Sequence, residues 1–201
     1  LSPRGLLLVA KAEAREAFDH DLAEMAYDPI TFDEARAIVP ILNPDVVALT
    51  AYAAQAEDVD TDLLVQGFAR EAKGRGAQIL TRARVTAIAK DGAGWRVDST
   101  GGSFTARMIV NAAGPWVDQV AAMAGVQPLG FTPYRRSMAR IPAPGGHDVS
   151  RWPMMFGPGE DWYAKPDAGA LIVSPAEEDL MEPHDAWADD MVLAEGLARY
   201  E

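Results

Sequence analysis

Two adjacent arginines, Arg135 and Arg136, and the aromatic residue Tyr163 have the side-chain types that bind small anionic substrates. A guanidinium group suits a carboxylate because it can donate two parallel hydrogen bonds to the two carboxylate oxygens. If the arginines lie in a strand, they point to opposite faces, so only one of them can face a given pocket. Residue type alone favours a plainer interpretation, in which both arginines are solvated and pair with some of the chain's many carboxylates.

A second candidate is the run of residues 108–116, where an apolar stretch meets two alanines and a glycine before Pro115. The apolar part predicts a short strand buried on both faces, and Pro115 suits the first turn of a helix that Gly125 ends. A turn of small residues lets a ligand lie against backbone N–H groups, which favour electron-rich atoms. On spacing alone, a plain strand–turn–helix junction is the better interpretation.

The composition excludes several kinds of chemistry. The chain has no cysteine, so disulfides, thiolate catalysis and thiolate metal sites are impossible. The three histidines, His20, His147 and His184, lack the spacing typical of metal ligands, and no metal site is predicted.

The charge and hydropathy of the chain limit its partners and its location. Thirty acidic and eighteen basic residues give a net charge of −12, which argues against nucleic acid or an anionic membrane as partner. A small anionic substrate stays compatible, because a local pair of arginines can override the overall field. No segment has the roughly 20 apolar residues of a transmembrane helix, and the N-terminus lacks the pattern of a signal peptide. We therefore expect a cytoplasmic protein.

The order of elements predicts an α+β fold, with a mixed or antiparallel sheet, flanking helices and part of an α/β domain. Thr31 and Glu34 form a capping-box pattern, which predicts a helix that stops before Pro40. The acidic run at 177–179 and the acidic pair at 189–190 are interpreted as helix N-terminal or solvated charges. Lys165 is interpreted as a solvated strand residue. The predicted strands are Leu6–Ala10 and residues 46–54, 78–80, 85–90, 95–98, 103–106, 108–111, 131–141, 154–156, 161–165 and 170–174. Two predicted helices are marked by apolar stripes, one with Ala14, Phe18, Leu22 and Met25 and the other with Leu64, Phe68 and Ala72. Two more cover residues 115–124 and 188–200.

The chain contains several short segments in one characteristic order. They lie at residues 59–60, 76–77, 85 and 95–97 and are followed by the run VNAAGPW at 110–116. This order resembles the FAD-dependent D-amino-acid oxidase-like superfamily, which includes glycine oxidase and sarcosine oxidase. The continuations PYRRS at 133–137 and YAKPDAG at 163–169 resemble its D-arginine and D-amino-acid dehydrogenase branch most. The resemblance extends from about residue 33 to the end of the chain.

The resemblance implies a flavin enzyme that oxidises the CH–NH bond of an amino acid, a D-amino acid in that branch, by hydride transfer to FAD. It implies that Arg136 binds the substrate carboxylate and that Tyr163 hydrogen-bonds it. For Tyr163 an ordinary cross-strand aromatic role is equally consistent. Sarcosine or glycine oxidation, 2-hydroxy-acid dehydrogenation and a non-catalytic ligand-binding module remain as alternatives.

The resemblance also implies five cofactor-binding residues. Val85 would contact the flavin adenine through its backbone, although a simple core valine is the alternative there. Ala112, Ala113 and Gly114 would line the adenosine and diphosphate, with Trp116 packed beside them.

The sequence departs from the superfamily in three respects: no G-x-G-x-x-G pattern occurs in it, and the C-terminal glycine-rich flavin loop and the second substrate arginine that the resemblance implies are also absent. We therefore expect an internal fragment that lacks the N-terminal G-x-G-x-x-G unit, with residues 45–128 forming part of the FAD-binding domain. Residues 1–44 and 129–201 would form the substrate-binding domain. By itself such a fragment is expected to be inactive and without FAD, and to dimerise through surface exposed by the missing part.

Overall fold

The computed structural model describes residues 1–200, which divide into two compact units. Unit 1 comprises Leu1–Asp60, Arg135–Asp179 and the segment from Ala186 onward, and unit 2 comprises Thr61–Tyr134 and Leu180–Asp185. Residues 45–60, predicted with the cofactor segment, belong to unit 1, because their strand pairs within its sheet.

Both units contain helices and strands. The helices are α1 (Arg15–Glu24), α2 (Phe32–Ile38), α3 (Thr61–Gly74), α4 (Val117–Met123) and α5 (Asp190–Tyr200). The strands are β1 (Ser2–Pro3), β2 (Leu6–Ala10), β3 (Asp28–Pro29), β4 (Leu49–Ala53), β5 (Glu57–Asp58), β6 (Val85–Asp91), β7 (Gly94–Ser99), β8 (Gly102–Ala106), β9 (Tyr134–Arg135), β10 (Ala139–Pro142), β11 (Met154–Phe156), β12 (Tyr163–Asp167), β13 (Ala170–Ser174) and β14 (Asp179–Leu180).

Unit 1 is built on a seven-stranded sheet with the order β10-β13-β12-β11-β2-β4-β3. Strands β11 and β2 are parallel, and the other neighbouring pairs are antiparallel. Residues 1–200 also contain five α-helices. The predicted α+β class with a mixed sheet is therefore confirmed.

Strand β2 is buried on both faces, as its unbroken apolar run predicts. Leu7 and Val9 pack in one hydrophobic cluster with Ala35 of α2. Leu8 points to the opposite face and packs in a second cluster with Phe18 of α1. Two layers of helix therefore cover the centre of the sheet.

Helix α2 begins with the predicted capping box. The Glu34 N–H donates to Thr31 Oγ1 over 3.3 Å, and the Thr31 N–H donates to Glu34 Oε2 over 2.7 Å. The backbone and side-chain hydrogen bonds of Thr31 hold the pKa of the Glu34 carboxyl below its usual range. The helix ends at Ile38, before Pro40, as expected.

Helix α5 packs closely on unit 1 because it presents a glycine. Gly196 is buried in α5, and a Cβ built on it would lie 2.3 Å from Cβ of Pro175. Near the end of the helix, the ring of Tyr200 meets Trp162 edge-on at 5.2 Å. Burial raises the pKa of the Tyr200 hydroxyl to about 12.

We expect Gly196→Ala to destabilise the protein by about 1–3 kcal/mol, because a methyl group cannot fit without moving α5 away from Pro175. Urea unfolding followed by circular dichroism measures the change. Gly67→Ala in α3 is the matched control, because a methyl group there would meet only the end of the Arg70 side chain, at 4.0 Å. That control should gain about 0.5–1 kcal/mol from helix propensity. Equal effects of the two variants would show that the contact with Pro175 is not tight.

Unit 2 contains the antiparallel sheet β6-β7-β8 together with α3 and α4. The strands predicted at 95–98 and 103–106 are confirmed as β7 and β8, which pair as a tight antiparallel hairpin. Helix α3 is also confirmed, but no residue in it is buried, and Phe68 of its apolar stripe is 66% exposed.

Two predicted strands are absent from the structure. Residues 108–111 form no strand, and Met108 and Val110 are 77% and 82% exposed. Residues 78–80 likewise have no strand structure. Within residues 1–200 no strand is hydrogen-bonded to either segment, so neither has a sheet partner for its backbone. The helix after the turn is confirmed: a short 3-10 segment, Gly114–Trp116, leads into α4.

Among the helices of residues 1–200, none combines the length and the hydrophobicity that crossing a membrane requires.

Candidate functional site

The guanidinium of Arg136 lies between two carboxylates in unit 1. Its Nη2 donates to Glu178 Oε1 over 2.7 Å, and its Nη1 donates to Glu160 Oε2 over 3.2 Å. The side chain of Arg136 is 34% exposed, against 69% and 68% for the two glutamates. Arg136 follows β9 instead of lying within it, which corrects the expected strand position. The ion-paired arrangement that residue type alone favours is thus present.

The neighbours of Arg136 are held by the same acidic run. Arg135 Nη2 donates to Asp179 Oδ2 over 2.6 Å, and the Ser137 N–H donates to Glu177 Oε1 over 2.6 Å. Residues 135, 136 and 137 therefore bind residues 179, 178 and 177 in antiparallel order. Glu178 and Asp179 are 68% and 48% exposed, so the interpretation of 177–179 as solvated charges holds for these two residues although both are ion-paired. The helix N-terminal interpretation is wrong, because no helix begins at these residues.

Several buried polar atoms near these arginines have no partner within residues 1–200. They are Arg135 Nε, Ser137 Oγ and Glu177 Oε2. Ala176, beside this acidic run, has a φ of 54°, and Glu160 has a φ of 55°. Non-glycine residues in this region of φ are held there by their surroundings, and such residues concentrate at functional sites.

Tyr163 is a half-buried residue of β12. It pairs across the sheet with Phe156 of β11 and Ser174 of β13. The Phe156 and Tyr163 rings are 6.3 Å apart and tilted by 46°. Tyr163 thus has the cross-strand aromatic role, and strand alternation places it on the same face of β12 as Lys165.

Lys165 is not the solvated residue that the sequence suggests, because Asp58 binds it. Lys165 Nζ donates to Asp58 Oδ1 over 2.8 Å, and Arg4 Nε donates to Asp58 Oδ2 over 2.9 Å. Burial by itself raises the pKa of Asp58. The hydrogen bonds and positive charges of Lys165 and Arg4 outweigh burial and hold the pKa below its usual range.

We expect acid to remove the stabilisation that Asp58 provides. Because the pKa of Asp58 is lower in the folded protein than in the unfolded chain, its contribution is complete above the unfolded value of about 4 and is lost as the pH falls through the folded value. Asp58→Asn should cost about 2 kcal/mol at neutral pH, and the difference from wild type should shrink in acid. Urea unfolding over a pH series measures this difference. Asp19→Asn, at an exposed pair with Arg15, should be close to neutral throughout; a pH-independent deficit for Asp58→Asn would contradict the account.

Unit 2 brings three of the five predicted cofactor residues to one cleft. Val85, Ala113 and Trp116 all line this cleft, which has a volume of about 600 Å³. Ala112 and Gly114 adjoin Ala113 in the chain but do not line the cleft.

The turn at the cleft is held in shape by one side chain. Asn111 Nδ2 donates to the Val117 carbonyl over 2.8 Å, while its Oδ1 accepts from the Ala113 N–H over 3.3 Å. Gly114 has a φ of 55°, and no heavy atom lies within 4 Å of the place where its Cβ would be. The backbone of this turn is therefore open to a ligand.

Val85 reaches the cleft from the start of β6. The register of β6 against β7 shifts between Val85 and Ala87, which marks a bulge or irregularity. Such irregularities occur next to binding sites because they re-aim the strand and interrupt its pairing.

The cleft is also lined by three residues with ionisable side chains that sequence reasoning did not assign to it: Arg84, His184 and Asp185. Arg84 could have been found as the neighbour of Val85. His184 and Asp185 lie about a hundred residues further along the chain and had no local signal of their own.

The groups in this cleft suit part of FAD. Val85 and Trp116 offer apolar surface to a flat ring, the turn at Ala113 offers backbone, and Arg84 offers a guanidinium to a diphosphate. Within the described residues, no three His, Asp or Glu side chains are grouped so as to hold a metal ion.

The comparisons with known proteins identify the family of the chain. A family model described as "DAO: FAD dependent oxidoreductase" matches residues 1–200. The chain is 33% identical over 100 residues to mitochondrial sarcosine dehydrogenase of Mus musculus, a match that covers 47% of this chain and 11% of that protein.

Two solved structures share the fold. L-proline dehydrogenase from P. horikoshii superposes with a TM-score of 0.78 at 22% identity, over 98% of this chain and 55% of that one. Glycine oxidase from Geobacillus kaustophilus gives a TM-score of 0.76 at 21% identity, over 98% and 53%. The chain thus spans about half the length of these structures, and a smaller part of the curated relative.

Proposed function

Because this chain belongs to the DAO family of FAD-dependent oxidoreductases, we propose that the protein carrying it oxidises the CH–NH bond of an amino acid. The family match over residues 1–200 carries the proposal. The cleft at Val85, Ala113 and Trp116 supports it, since it offers the surface and the backbone that the cofactor needs. When bound, FAD supplies the acceptor for the hydride.

The substrate class is an amino acid. Three of the similar proteins, a sarcosine dehydrogenase, a proline dehydrogenase and a glycine oxidase, have names that point to amino-acid substrates. The PYRRS and YAKPDAG segments favour a D-amino acid within this class. Sarcosine is the second candidate, and the 33% identity to sarcosine dehydrogenase favours it.

In this proposal Arg136 binds the substrate carboxylate and Tyr163 donates a hydrogen bond to it. A guanidinium has five N–H donors, and Glu160 and Glu178 occupy one on each of its two terminal nitrogens. The two glutamates therefore fix the orientation of the guanidinium and leave donors for a carboxylate. A substrate carboxylate also meets their negative charge, so a zwitterion with an ammonium group is favoured over a simple anion.

Anaerobic mixing of the full-length protein with candidate substrates tests the proposal. D-arginine, other D-amino acids, sarcosine, L-proline and glycine are each added, with 2-hydroxyglutarate as the non-amine comparison. Bleaching of the oxidised flavin absorbance by one or more amino acids is expected. Bleaching by 2-hydroxyglutarate alone would support the hydroxy-acid alternative, and a protein that holds no flavin would support a non-catalytic binding module.

A further inference from the structure

The loop between β11 and β12 of unit 1, residues 157–161, carries one of the two glutamates that pair with Arg136. The Gly157 N–H donates to the Trp162 carbonyl over 2.9 Å, which closes the base of the loop. Glu160 has a φ of 55° in this loop, a conformation that is unfavourable for a residue with a Cβ. Such a conformation persists only where the surroundings fix it. The contacts on either side of Glu160 therefore decide where its carboxylate lies.

The residues on both sides of Glu160 are tied to helices. Before it, the Gly159 N–H donates to Asp21 Oδ2 of α1 over 2.9 Å, between residues 138 positions apart in the sequence. After it, Asp161 Oδ1 pairs with Arg199 Nε of α5 over 3.4 Å, and both of these side chains are exposed. An exposed ion pair contributes little, whereas a hydrogen bond to the half-buried Asp21 carboxylate is charge-assisted. The contact with Asp21 is therefore the stronger of the two.

Asp21 does not favour the helix in which it lies. It is in the last turn of α1, where the helix dipole disfavours a negative charge, and this turn contains no basic residue to offset that charge. Aspartate is also a weaker helix former than alanine. Within residues 1–200 the Asp21 carboxylate has no hydrogen-bond or ion-pair partner besides Gly159. The side chain of Asp21 therefore serves the loop and not the helix.

We propose that Asp21 is a positioning residue for Arg136. Asp21 holds Gly159, which fixes the backbone at Glu160, and Glu160 Oε2 accepts a hydrogen bond from Arg136 Nη1 over 3.2 Å. Glu178 binds the other terminal nitrogen, so without the loop contact the guanidinium would be free to turn about this remaining bond. All five residues belong to unit 1. The assignment rests on the proposed function, in which Arg136 binds the substrate carboxylate.

Steady-state kinetics of the full-length protein, with the amino acid that bleaches its flavin, test the assignment. Asp21→Ala removes the acceptor for Gly159 and should raise KM about threefold to tenfold, with a smaller effect on kcat. Asp21→Asn keeps an oxygen acceptor and should restore most of the affinity for the substrate. Asp19→Ala is the matched control on the same helix, because its exposed carboxylate pairs only with Arg15, and it should have the KM of wild type.

A double-mutant cycle with Arg136→Gln shows whether Asp21 acts through Arg136. Asp21→Ala should lower kcat/KM in the wild-type background but change it by no more than about twofold in the Arg136→Gln background. Equal losses in the two backgrounds would show that Asp21 acts by another route and would overturn the assignment.

Urea unfolding distinguishes a positioning role from a structural one. The midpoint of Asp21→Ala should stay close to that of wild type, because the better helix propensity of alanine and the removed charge offset the lost hydrogen bond. A lower midpoint with an unchanged KM would leave Asp21 with a structural role only. If Arg136→Gln loses activity and Asp21→Ala does not, the positioning assignment is wrong and the proposed function stands. If wild type oxidises no amino acid, the proposed function fails and the assignment fails with it.

Discussion

Arg136→Gln is expected to lower kcat/KM for the amino-acid substrate by at least about a hundredfold, chiefly through KM. The glutamine removes the charge that binds the substrate carboxylate, and losing a charge-assisted pair at a binding site costs about 2–5 kcal/mol. Steady-state kinetics of the full-length protein measure the change. Arg136→Lys keeps the charge without the paired donors and should recover only part of the activity.

A matched control separates substrate binding from the ion pairs of Arg136. Arg140→Gln removes another arginine of unit 1, whose pair with Asp167 is exposed on both sides, and it should leave kcat/KM within about twofold of wild type. If Arg136→Gln behaves like this control, Arg136 serves only its pairs with Glu160 and Glu178.

Leu171→Ala is expected to destabilise the protein by about 2–5 kcal/mol, because it opens a cavity in the largest hydrophobic cluster. Leu171 is fully buried in β13, between Ile141 of β10 and Pro166 of β12. Such a loss is a large share of the total stability of a domain. Chemical unfolding followed by circular dichroism measures it.

Leu129→Ala is the control for this prediction, since it makes the same change in a side chain that is 83% exposed. It should alter the free energy of unfolding by no more than about 0.5 kcal/mol. Equal losses in the two variants would mean that the sheet of unit 1 is not the stabilising core.

Features with a complete local signal could be predicted from the sequence. The capping box needs only Thr31 and Glu34, at the two ends of one helical turn, and it formed as expected. Strand β2 was predictable because its five apolar residues require cover on both faces, and the helices that cover it are themselves amphipathic.

Features that depend on a distant partner could not be predicted. The apolar run at 108–111 has the composition of a buried strand, but a strand forms only beside another one. The carboxylates of 177–179 could not be assigned to residues 135–137, because nothing local indicates which side chains forty residues apart will meet. Lys165 and Asp58 are a further case, at 107 residues' separation.

The candidate cofactor residues lie between these two cases. Val85, Ala113 and Trp116 have no diagnostic spacing, and only the family resemblance selected them. The structure brings these three to one cleft and adds Arg84 and Asp185. Whether they hold FAD stays a prediction.

Hydrogen–deuterium exchange of the full-length protein, with and without FAD, tests the central claim most directly. The amides of Val85, Ala113 and Trp116, which line the cleft, should exchange more slowly once FAD is bound, while those of the exposed helix α3 should change little. If FAD binds and the exchange of these amides is unchanged, the cofactor lies elsewhere and the account of this cleft is wrong.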